Sequence, residues 1–250
     1  MLLGGKNAIV YGGGGSIGGA VARAFAAEGA RVHLAGRTTA PLERVADDVR
    51  AAGGLVETTV LDALDGEAVD AHAQRVVDGF GSLDISFNAI THGDVQGTPM
   101  IEMDLADYER PIVTATRTFF LTSRAAGRHM TAQGSGVILV FGGDGPPMRD
   151  VYLGGLQPAF QVMESMRRQL SAELGRRGVR VVTLQTAGIY ETVPADVDLG
   201  DIVDRARDET MLGRNATLAD VAHAAVFAVS DWAASLTATK INISCGTMVD

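Results

Sequence analysis

Four consecutive glycines, Gly12, Gly13, Gly14 and Gly15, stand between an apolar run that ends at Tyr11 and the segment Ser16, Ile17, Gly18. Glycine permits a tight turn and lets backbone approach a ligand with no Cβ in the way. A helix opening at Ser16 would aim free N–H groups and the positive end of its dipole at an anion. This is chemistry for gripping a phosphate, and a pyrophosphate suits it best. Context strengthens the reading: a strand precedes the glycines, a helix follows, and a second strand ends about 18 residues past Gly18. The other polar groups able to do chemistry lie beyond the ends of later strands. They are His92, Asp144, Arg149, Tyr152, Gln157, Tyr190 and Glu191.

The elements that must position these groups follow from periodicity. Apolar runs at 8–11, 31–35, 55–60, 83–87, 136–141, 179–185 and 241–244 read as strands. Helical patterns fall near 17–28, 41–52, 66–79, 105–132, 156–175 and 218–230. Strands nearly continuous in Val, Ile and Leu, alternating with helices, predict a parallel sheet covered on both faces. The expected fold class is α/β, a doubly wound Rossmann fold with a central parallel sheet of about seven strands. No linker, repeat or low-complexity tract divides residues 1–250, so one nucleotide-binding domain is expected.

Charge and cysteine usage narrow the partners. A net charge of −9 argues against nucleic acid and against membrane surfaces. The only cysteine, Cys245, cannot form an intrachain disulfide, which suits a cytoplasmic protein. The first residues lead straight into the glycine loop and make neither a signal peptide nor a membrane span. His33, His72, His129 and His223 fall on strand or helix faces without metal-ligand spacing, so no metal is expected. There is no Ser-His-Asp spacing or nucleophile elbow to support a hydrolase.

Over essentially its whole length the chain resembles the short-chain dehydrogenase/reductase family. Gly12 and Gly18 match the outer glycines of that family's Thr-Gly-x-x-x-Gly-x-Gly loop, with Tyr11 at the Thr and Ser16 at the middle glycine. The resemblance implies a nicotinamide cofactor held by Gly12, Gly14, Gly15, Ser16, Ile17 and Gly18. It places Asp62 and Ala63 beside the adenine, and Asn88 and Ala89 at the centre of Asn-Asn-Ala-Gly. AGIYET at 187–192 is similar to Pro-Gly-x-x-x-Thr, so Gly188, Ile189 and Thr192 are expected at the nicotinamide carboxamide. It also implies a homotetramer built through the helices at 105–132 and 156–175 and the last strand. An acidic residue ending the second strand would favour NAD. Gly36 stands there, followed by Arg37 and Thr38, and a guanidinium suits a 2′-phosphate. NADP(H) is therefore the expected cofactor.

What the resemblance does not supply is the catalytic group. The family uses an Asn, a Ser, a Tyr and a Lys to move a proton and steady the substrate oxygen. The matching positions hold Ala115, Gly143, Leu156 and Phe160. The chain has only two lysines, Lys6 and Lys240, and neither lies near the start of the helix at 156. The expected substrate pocket is formed by Gly143, Asp144, Tyr152, Leu156, Phe160 and Tyr190, with Tyr152 or His92 as a stand-in acid or as a packed loop residue. Two functions remain open. One is NADPH-dependent reduction of a quinone or other conjugated aromatic of the kind found in actinobacterial aromatic polyketide pathways, possible without a strong acid. The other is a non-catalytic NADP-binding sensor or scaffold.

Overall fold

The computed structural model describes residues 1–143 and 151–249. Asp144 and Arg149, named above, lie outside the described residues. Seven strands form one sheet: β1 (Asn7–Tyr11), β2 (Arg31–Gly36), β3 (Leu55–Val60), β4 (Ile85–Asn88), β5 (Gly136–Gly142), β6 (Val179–Thr186) and β7 (Thr239–Ile243). Their order is β3-β2-β1-β4-β5-β6-β7, and every neighbouring pair is parallel. Around them lie α1 (Ser16–Ala27), α2 (Thr39–Ala51), α3 (Gly66–Phe80), α4 (Leu105–Gln133), α5 (Leu156–Leu174), α6 (Ile202–Asp208) and α7 (Leu218–Val229).

Period-two alternation explains why the sheet is sandwiched. Ala8 and Val10 of β1 join the apolar layer beneath α1, α2 and α7, together with Leu139 and Val182. Ile9 and Tyr11 join the opposite layer beneath α3, α4 and α5, together with Ile138, Val140 and Val181. Successive residues of a strand point to opposite faces, so a strand covered on both must be apolar throughout. β1 and β4 are buried at every position, whereas the outer β3 is half-exposed.

The chain order reverses between β1 and β4. Loops leaving those two strands diverge to opposite halves of the sheet and open a crevice at the carboxyl end. Both known lysines are remote from it. Lys6 precedes β1 at the other end of the sheet and bonds Asp231 at 3.0 Å. Lys240 is in β7, alongside Thr183.

Two interior features are polar. Glu164 and Arg167, one turn apart on α5, form an ion pair at 2.8 Å that is nearly free of solvent, and Thr183 of β6 donates to the same carboxylate at 2.5 Å. On the other half, His33 of β2 and His72 of α3 are each 2% exposed. His72 meets the Tyr11 ring edge-on at 6.3 Å, and the His33 ring lies 4.9 Å from that of Phe80, tilted by 48°.

Burial holds both imidazoles neutral and lowers each to about 4, with nearby arginines adding to the effect. An unfolded chain would take up those protons below about pH 6.5. The folded state therefore keeps this stability above that pH and loses it as pH falls from about 6.5 to about 4. The slope is about 1.4 kcal/mol per pH unit for each histidine. Urea titrations at neutral and mildly acidic pH should show the midpoint falling, and His72→Leu should flatten that fall. An equal pH response in the variant would remove His72 from the account.

Candidate functional site

The crevice is built from the β1–α1 turn upward. Gly12 has φ +78°, a left-handed conformation that glycine adopts without strain. A Cβ on it would lie 2.5 Å from the carbonyl oxygen of Ala89, at the exit of β4. A Cβ on Gly18 would lie 2.3 Å from the carbonyl oxygen of Gly12. The turn is thus pressed between α1 and β4, and no side chain fits at either place. α1 opens at Ser16 with Gly15 as its N-cap and no capping side chain, so its first N–H groups are left for another acceptor.

A cavity of about 280 Å³ opens over this turn. Of the residues expected at the cofactor, Gly12, Gly14, Gly15, Arg37, Thr38, Asp62, Ala63 and Ala89 line it. Arg37 is exposed at the β2 exit. Ser16, Ile17 and Gly18 serve as the first turn of α1 instead of lining the cavity. Asn88 does not line it either. It is 3% exposed, donates to Thr122 Oγ1 at 3.3 Å and accepts from the Ile90 N–H at 3.2 Å. It braces the β4 exit from below. Sequence reasoning missed the apolar wall of Pro41, Leu42, Leu61 and Leu64, and also Tyr11, Thr114 and Thr118. The two threonines are one turn apart on α4, and that spacing was the available signal. Burial, with Asp70 adding to it, pushes the Tyr11 phenol up, so it stays protonated. A glycine cradle, a free helix N-terminus and a slot between apolar walls fit a dinucleotide.

At the other end of the crevice stand the positions to which the resemblance assigns the proton donors. Gly143, at the serine position, has φ +121°, and a Cβ there would lie 2.5–2.9 Å from the side-chain carbons of Gln185 in β6. Leu156 starts α5 and is half-buried. Phe160, at the lysine position, is packed over Gly142 within the apolar layer of Ala159 and Met163. Its ring meets His92 edge-on at 5.9 Å. His92 is 7% exposed, and burial lowers it to about 4 against the opposing pull of Asp94, so its ring is neutral. Ala115 is fully buried on α4. Tyr152 is 43% exposed, and its carbonyl accepts from the Gly97 N–H at 3.0 Å. That bond ties the loop after β4 to the segment before α5.

Beyond β6, Ile189 is buried in the core and Thr192 donates its hydroxyl to the Ile189 carbonyl at 2.7 Å. The Tyr190 ring folds back over Gly188: a Cβ on Gly188 would lie 3.1–3.4 Å from the phenol. Burial, then Glu209, raises the Tyr190 phenol, so it too is neutral. Glu191 accepts from the Leu218 N–H and fastens this loop to the first turn of α7. Among the described residues no group of three or more His, Cys, Asp or Glu is arranged to hold a metal. No helix among them is long and apolar enough to cross a membrane.

Comparisons with known proteins agree with this geometry. A family model described as enoyl-(acyl carrier protein) reductase matches residues 13–248. The D-threitol dehydrogenase of Mycolicibacterium smegmatis is 29% identical over 98% of this chain and 93% of its own. The 7α-hydroxysteroid dehydrogenase of Escherichia coli is 25% identical over 98% and 95%. Among solved structures, a short-chain dehydrogenase/reductase from Serratia marcescens superposes with a TM-score of 0.87 at 26% identity, covering 100% of both chains. A 7α-hydroxysteroid dehydrogenase complexed with NADH and 7-oxo glycochenodeoxycholic acid superposes with a TM-score of 0.88 over 99% and 96%, at 24% identity, and shares the fold.

The space at Gly143 leaves no room for a side chain. Gly143→Ser should cost roughly 1–3 kcal/mol of stability, through a positive φ and a displaced Gln185. Adding Leu156→Tyr and Phe160→Lys to it should not produce simple-ketone reduction. Ketone-dependent NADPH oxidation by the triple variant, well above that of the parent, would show that the site had merely lost its side chains.

Proposed function

Because the chain belongs to the short-chain dehydrogenase/reductase family of oxidoreductases, we propose that it is an NADPH-dependent reductase of a quinone or comparable electron-poor aromatic. The observation that carries this reading is the asymmetry of the crevice. Its nucleotide half is complete, and its far half has a phenylalanine where a lysine would serve proton transfer. The bound nicotinamide would supply the hydride. The chain's own residues would grip the pyrophosphate through the α1 N-terminus, hold the 2′-phosphate with Arg37 and keep water from the reacting face with Phe160 and Leu156. A simple ketone builds full charge on one oxygen as hydride arrives, and a positioned acid is worth roughly two to four powers of ten. A quinone spreads that charge over its own ring, and solvent can protonate it afterwards. Orientation in a dry pocket is then enough.

A non-catalytic NADP-binding sensor would fit the same cradle. The exposed apolar side chains Met100, Ile101 and Leu105, between β4 and the start of α4, favour the reductase, since a sensor of NADP alone has no use for them. We also assign self-association to the groove of about 520 Å³ between α4 and α5, where Phe120, Met166, Leu170 and Leu174 are presented. Light scattering should give a multiple of the 26.1 kDa chain, and a monomer mass would sink that assignment.

Cofactor choice rests on Arg37. Arg37→Asp should weaken NADPH binding, the lost charged bond alone being worth about 1.5–3 kcal/mol. Equal affinity of the parent for NADPH and NADH in a fluorescence titration would remove the argument.

Substrate choice rests on proton demand. Stopped-flow mixing of NADPH-loaded protein should show rapid oxidation by naphthoquinone and none by an aliphatic ketone, and Tyr152→Phe should cost little. A loss of several powers of ten in that variant would make Tyr152 a displaced acid. If no quinone ever oxidises the bound NADPH, the sensor reading takes over.

A further inference from the structure

Two segments at the carboxyl end of the sheet carry most of the protein's net charge. Residues 93–110, after β4, hold five acidic side chains against one basic. Residues 190–214, after β6, hold seven against three. Each segment is therefore four charges negative, in a chain whose total is −9. Every arginine in them is already engaged: Arg110 with Asp107, Arg205 with Asp201, Arg207 with Asp204 and Asp208, and Arg214 with Asp220. Asp94, Glu102, Asp104, Asp196, Asp198 and Glu209 have no cationic partner among the described residues.

These carboxylates act on the site itself. Asp94 pulls on the His92 ring, and Glu209 acts on the Tyr190 phenol that covers Gly188. Each segment also carries exposed apolar side chains, Met100, Ile101 and Leu105 in the first and Met211 and Leu212 in the second. His92 itself is more than nine-tenths buried, is neutral, and makes no hydrogen bond among the described residues. A neutral imidazole packed on Phe160, with segments on either side that carry a surplus of carboxylates without cationic partners, repels an anion and draws in a cation.

We propose that the acceptor reduced here is a conjugated cation: an iminium, or an N-alkylated aromatic, carried on an apolar body. The proposal rests on the reductase reading and narrows its substrate class. It also accounts for the absent acid more fully than a quinone does. Hydride from the reduced nicotinamide forms the new C–H bond at the iminium carbon. The C=N π pair becomes the nitrogen lone pair, the product is a neutral amine, and the nicotinamide is left oxidised. No proton enters or leaves, so Leu156 and Phe160 in place of Tyr and Lys remove nothing the step needs. The charge leaves the substrate in the transfer itself, and an alkylamine product takes up a proton from solvent only afterwards.

The test uses the NADPH-loaded full chain with N-methyl-3,4-dihydroisoquinolinium, 1,4-naphthoquinone and its anionic 2-sulfonate. At about 10 mM salt, where charges act over roughly 30 Å, kcat/KM should be highest for the cation and lowest for the sulfonate. At about 1 M salt the cation's advantage should shrink several-fold. Exposed-rim variants Glu102→Gln, Asp104→Asn and Asp196→Asn, combined, should lower the cation's kcat/KM by about 3–10-fold at low salt and leave naphthoquinone unchanged. Calorimetry on NADP-loaded protein with the protonated N-methyl-tetrahydroisoquinoline should show the same salt dependence in binding, independent of turnover. If naphthoquinone is reduced but the cation is no better and its rate ignores salt and the rim variants, the proposal is overturned and the reductase reading stands. If NADPH binds and no acceptor oxidises it, the reductase reading falls and the proposal falls with it.

Discussion

The contact between the Gly12 carbonyl and the α-carbon of Gly18 determines how closely α1 can approach β1, and the contact of Gly12 with Ala89 does the same for β4. Both are backbone-to-backbone approaches that tolerate no Cβ. Because the chain order reverses at this pair of strands, the same two contacts set the width of the crevice and aim the free N–H groups of α1 into it. The nucleotide half needs little else from side chains. Its walls are Pro41, Leu42, Leu61 and Leu64, which belong to the apolar packing of α2 and β3 as much as to a ligand. Folding and ligand binding in this half would draw on the same residues.

The far half shows the opposite logic. Gln185 fills the volume next to Gly143, and the His92 ring packs edge-on against Phe160. The polar groups there, His92 and Tyr190, are kept neutral by their surroundings.

Much of the fold was legible because both faces of the sheet are buried. Runs such as AIVY and GVILVF are then apolar throughout and punctuated by glycine. α6 was not legible. Its seven residues, Ile202–Asp208, bury none of their side chains, so no apolar stripe marks them, and Asp201–Arg205 and Asp204–Arg207 pairs hold the turn instead. In the site, the glycine loop and Arg37 could be read because their chemistry is local. The meeting of His92 with Phe160 could not, since the residues are far apart in sequence and nothing in either type predicts the other. Nor could the role of Asn88, whose side chain turns inward to Thr122 and away from the cleft.

The buried pair of Glu164 and Arg167 has a consequence of a different kind. Removing either partner alone would strand a charge in the interior, while exchanging both for apolar residues of similar size can cost nothing or even stabilise. Thr183 is tied to the same fate through its bond to Glu164. Single-step drift at these three positions is therefore blocked in each direction, although a simultaneous exchange is open. Among descendants of this chain the trio should be inherited whole or be absent whole, which makes it a lineage marker independent of the cofactor loop.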